Sequence, residues 1–121
     1  MGWLMLAWAL LAPPAAAQRP RCGYGEALAA MQVAEERLAL LPDGLDAARS
    51  TAEAVAGGLR GSASGMAGCG CTRLAEAVGE AAGIAEPAIS AASVAEARVR
   101  LERARFSLGL ARRAAGREGC R

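Results

Sequence analysis

Four stretches of this chain carry apolar residues at alternating spacings of three and four, and that repeat restricts the fold to packed helices. The most regular is Val94, Ala97, Leu101, Ala104, Leu108, Ala111 and Ala115. It predicts a long last helix within Ala88–Ala115, ended by Gly116. The first seam is Tyr24, Ala27, Met31, Ala34, Leu38 and Leu41, with Glu26 in the first turn where it suits the helix dipole. Pro42-Asp43-Gly44 ends it, because the residue before a proline avoids the α region. Asp43 is then placed to cap the next helix. The second seam is Leu45, Ala48, Ala52, Val55 and Leu59. The third is Leu74, Val78, Ala81 and Ala85, with Thr72 as the expected N-cap. Between the second and third, residues 57–70 hold six glycines. At about 1 kcal/mol each against alanine in a helix, they predict a loop there. No alternating β-branched run and no Asn-Gly turn signals a strand.

The start of the chain reads differently. Residues 1–12 are almost wholly apolar, Pro13-Pro14 follows, and Ala15-Ala16-Ala17 precedes Gln18. This reads as a signal peptide cleaved after Ala17, although its leading end lacks Arg or Lys. The run is too short to span a bilayer, which takes ~20 apolar residues. No lipobox precedes Cys22. The expected mature domain is a single unit, residues 18–121, exported to the periplasm or the extracellular space.

Both tryptophans lie in the leader, so Tyr24 and Phe106 are the only aromatics after it. From Gln18 onward there are 26 alanines against 21 large apolar residues, so the core must be thin and its helices close. Such small domains commonly need covalent staples. Four cysteines supply two: Cys22, Cys69, Cys71 and Cys120.

Two architectures fit. In an antiparallel four-helix bundle, all four sulfurs fall at one end. Cys22 then joins Cys69 or Cys71, and the other of that pair joins Cys120. In the alternative, Pro42 and Pro87 only kink two long helices of one hairpin. Cys69 and Cys71 would then sit at its tip, far from Cys22 and Cys120. The bundle satisfies every cysteine without strain and is the expected fold. Whether Pro87 starts a helix or bends one stays open, and the last helix must overhang or break near Ser90–Ser93.

Functional signals are sparse. The chain contains no Lys, His or Asn, a composition that fits GC-rich bacterial coding. Without histidine, the commonest general base and metal ligand is missing, and no Ser-His-Asp set can form. No cofactor is implied, and the expectation is a non-enzymatic structural or interaction module. Its partner would be another protein or a second copy. The alternative is a thiol redox or soft-metal-handling protein using Cys69-Gly70-Cys71, with Met66 nearby. That alternative requires free or labile thiols.

From Glu96 to Arg121 there are eight Arg and three Glu. Arg98, Arg105 and Arg112 lie seven apart and flank the last seam. They suit pairing with the acids of earlier segments, since residues 22–60 are net −3 and residues 61–95 net −2. The competing reading is a face for an anionic partner, including a peripheral anionic membrane. Nucleic acid is not expected, given export and no spare aromatics for base stacking.

Overall fold

The computed structural model describes residues 22–118 and Cys120. The expected leader and its expected cleavage after Ala17 lie outside the described residues. Four α-helices follow one another: α1 (Tyr24–Ala39), α2 (Leu45–Gly68), α3 (Thr72–Ala85) and α4 (Val94–Glu118). A 3₁₀ segment, Glu86–Ser90, joins the last two and carries Pro87 in its first turn. The chain is a small four-helix bundle, with no strand among the described residues.

The seams point inward. Met31, Leu38, Leu59, Val78, Leu101 and Leu108 are fully buried, with alanines packed between them. α2 packs on both α1 and α3, and α4 lies chiefly against α3. Every apolar residue at an interior seam position is therefore spent on the core.

The glycine-rich stretch is helix rather than loop. α2 continues through residues 57–66 because Leu59, Ser62 and Met66 all lie on its buried face. Burial of Leu59 and Met66, each worth ~1.5–3 kcal/mol, offsets a glycine cost of about 1 kcal/mol apiece. Gly65 also has a packing reason, since a Cβ there would lie 3.1 Å from the Ala27 Cβ. α2 stops where Gly70 adopts φ +80, a left-handed conformation that suits glycine. Cys71 N–H donates to Met66 C=O (2.9 Å) and Gly70 N–H to Ala67 C=O (3.0 Å). This is a Schellman end, in which the last carbonyls of the helix find donors.

The other boundaries differ in detail from the sequence expectation. Gly44 and Cys71, rather than Asp43 and Thr72, precede α2 and α3, and neither helix has a side-chain cap. The last helix does break at residues 91–93. Glu96 N–H donates to Ser93 Oγ (3.2 Å), and the Glu96 carboxylate accepts from Ala92 N–H (3.0 Å). These two bonds resemble a capping box, with Ala92 N–H in place of the cap residue's own N–H, and fix the start of α4. The Arg49 guanidinium, from α2, donates twice to the Ala91 carbonyl (2.9 and 2.6 Å) and anchors the break.

Both staples close at the end opposite the Pro42 turn. Cys22 pairs with Cys69 and Cys71 with Cys120, with Cα separations of 5.0 and 4.8 Å. The two-helix hairpin is excluded, since it would hold these cysteines at opposite ends.

Candidate functional site

Three places carry residues that the fold itself does not consume: the Cys69-Gly70-Cys71 turn, the arginine flank of α4, and the outward face of α4. In the turn, both sulfurs are in disulfides and no free cysteine remains. Cys71 is fully buried and sits at the N-cap of α3, whereas Cys22 and Cys120 are exposed. Met66 is buried, with Sδ 3.9 Å from Ser62 Oγ. Among the described residues, no three His, Cys, Asp or Glu side chains cluster as a metal-ligand set.

The fold separates the three flanking arginines. Arg112 Nε donates to Glu35 of α1 (2.6 Å), and Arg98 meets Asp43 of the α1–α2 turn (3.3 Å). Arg105 has no acidic partner among the described residues and lines a shallow groove with Glu35, Phe106 and Arg113. Elsewhere Arg60 pairs with Glu86, and Arg100 lies 4.0 Å from Glu96. These pairs are largely exposed, so each is worth ~0–1 kcal/mol and mainly fixes which helices face each other.

The outward face of α4 was not singled out by the core seam. Val99, Phe106 and Leu110 stand opposite the buried Leu101, Ala104 and Leu108, spaced seven and four apart. Phe106 is 66% exposed although the core contains no phenylalanine at all. The sequence signal was present as a second apolar stripe on one helix, which a helix packed on one side does not need. On the α3 side, Ile84, Val99, Phe106 and Leu110 line a groove of about 600 Å³ with Glu80 and Arg103. A smaller groove of about 400 Å³ lies on the first hairpin, lined by Val33, Glu36, Arg37, Leu40 and Thr51. Leu40 is 83% exposed there.

These surfaces offer shallow apolar relief with charged rims. No described helix is long and apolar enough to cross a membrane. The two disulfides point to an oxidising, exported location. Comparison with protein-family models, with curated proteins and with solved structures gave no match.

Proposed function

We propose that this chain is exported behind its N-terminal leader, cleaved after Ala17, and serves in the periplasm as a non-enzymatic structural or protein-interaction module. The observation that carries this reading is the Val99–Phe106–Leu110 stripe on the outward face of α4. A thin alanine-rich core would gain from a phenylalanine, yet this one faces solvent. Exposed aromatics backed by aliphatic neighbours are the usual anchors of protein interfaces. Export is supported by the leader pattern together with the disulfides. The test has two parts. Mass spectrometry of the periplasmic fraction should find a chain beginning at Gln18. A photocrosslinker at position 106 should give a discrete adduct that the same probe at the exposed Thr72 does not. A chain retained in the cytosol with its leader, or equal labelling at both positions, would remove the reading.

A second reading, thiol–disulfide exchange at the Cys69-Gly70-Cys71 turn, draws on the exposure of Cys22 and Cys120. An external thiolate reaches an exposed half-cystine most easily. It predicts that one bridge equilibrates in a glutathione buffer while the helices stay folded. Bridges that resist reduction until the protein unfolds would argue against it.

A further inference from the structure

Two opposing surfaces of this molecule match each other, and we infer that the α3–α4 face of one copy docks on the α1–α2 face of a second copy, head to tail. The inference rests on the interaction-module reading and names its partner.

The first observation is charge. Ion pairs within the molecule consume Arg98 and Arg112 of α4 and Glu35 and Asp43 of the first hairpin. On the α3–α4 face this leaves Arg73, Arg103, Arg105, Arg113 and Arg117 exposed against Glu76, Glu80 and Glu102, among the described side chains. On the first hairpin it leaves Glu26, Glu36, Asp46 and Glu53 exposed, against Arg37. One face is basic and the other acidic. Opposite patches steer association and suppress wrong pairings. An α4–α4 contact would set Arg103, Arg113 and Arg117 against their own copies.

The second observation is relief. Phe106 stands out between two grooves as a ridge, with Val99 and Leu110 beside it. The α1–α2 face is hollow, with Val33 and Leu40 at its edge. On α2, Thr51, Ala54, Gly58 and Gly61 follow one another at three-four-three spacing. A Cβ at Gly58 or Gly61 would meet nothing within 4 Å, so packing inside the molecule does not call for glycine at either position. Small residues in a helix row let another helix approach closely, and a ridge entering such a row is ordinary helix packing.

The third observation is area. One helix of 25 residues is ~37 Å long and ~10 Å across, so a single-helix contact offers roughly half the ~800 Å² per partner that a stable complex buries. Docking hairpin on hairpin engages two helices on each side. The two faces belong to different hairpins, so the contact is heterologous and repeats until it closes or extends.

The test is sedimentation of the full mature chain across a concentration series at low and high salt. The expected result is reversible self-association that weakens as salt rises. Phe106→Ser and Leu40→Ser should each weaken it about tenfold or more. Mixed together, these two variants should form a one-to-one heterodimer, because each keeps one intact face. A mixture that stays monomeric while the wild type associates overturns the head-to-tail arrangement. Gly61→Gln should leave thermal stability unchanged or raised while association falls; unchanged association also counts against it. Vesicles containing phosphatidylglycerol provide the remaining arm. A wild type that is monomeric throughout yet binds vesicles through Phe106 overturns the inference in favour of a membrane. A monomer whose position-106 crosslink to another protein persists overturns self-docking but leaves the interaction-module reading standing.

Discussion

The Ser62 hydroxyl donates to the Ala27 carbonyl oxygen across 2.6 Å, and both groups lie inside the core. This bond joins α2 to the first turn of α1 in the part of α2 richest in glycine. The polar atom is tolerated because it is paired. Replacing Ser62 with Ala should cost about 1 kcal/mol, the net worth of a typical buried hydrogen bond. Ser62→Leu should cost more, ~1–3 kcal/mol, because the site is fully packed. Urea unfolding of both variants, with m unchanged, checks the pair.

Gly65, one turn further, separates packing from propensity. A Cβ there meets the Ala27 Cβ at 3.1 Å, and at Gly58 it meets nothing within 4 Å. Gly58→Ala should therefore stabilise the domain by up to about 1 kcal/mol. Gly65→Val should destabilise it by ~1–3 kcal/mol, since α1 must move away. Thermal melts that ranked the two variants the other way round would contradict the close α1–α2 approach.

The seams were legible in the sequence because their members alternate three and four apart, and all of them except Leu45 and Val94 at the seam starts belong to or pack against the core. The extent of α2 was not. Six glycines between residues 57 and 70 argue locally for a loop, and only the burial of Leu59, Ser62 and Met66 overrides them. The start of α4 was readable in principle from Ser93 and Glu96: Ser93 Oγ accepts from Glu96 N–H, and the Glu96 carboxylate reaches back to Ala92 N–H. Which arginine meets which acid was not readable, because Glu35 and Arg112 are 77 residues apart and share a register only after three helices have stacked. The Val99–Phe106–Leu110 stripe was hidden by the stronger seam on the same helix.

Arg112 and Arg105 illustrate what that register decides. They lie seven apart, and Arg112 reaches Glu35 while Arg105 reaches no acid among the described residues. Arg112→Ala should cost ~0.2–1 kcal/mol at low salt and less at high salt. Arg105→Ala should be neutral at both. A double-mutant cycle with Glu35→Gln should return a coupling for Arg112 and none for Arg105.

Arg49 has a more structural part. Its two hydrogen bonds end on the Ala91 carbonyl, at the break between the 3₁₀ segment and α4. Ala91 is fully buried, so that oxygen has little access to water. Arg49→Ala should cost ~1.5–3 kcal/mol, as for a hydrogen bond to a charged group. Arg49→Lys should recover only part of it, because an ammonium lacks the planar fork. Amide exchange at Glu96 and Ala97, whose N–H groups bond to Ser93, should quicken in the alanine variant, since the α4 start loses its anchor.

The two disulfides close loops of similar length, 47 and 49 residues, so chain entropy assigns each about 4 kcal/mol. Their surroundings differ: Cys71 is fully buried, whereas Cys69 and its partner Cys22 are not. Removing the first bridge (Cys22→Ser with Cys69→Ser) should cost close to the entropic value. Removing the second (Cys71→Ala with Cys120→Ser) should cost more, because a buried sulfur leaves a small void and the C-terminal end of α4 loses its disulfide tie. Each double variant should still form its remaining bridge and show no free thiol under denaturing conditions. Free thiol in either variant would mean that the pairing is not Cys22–Cys69 and Cys71–Cys120. Equal losses of stability would show that the buried position of Cys71 adds nothing beyond the tether.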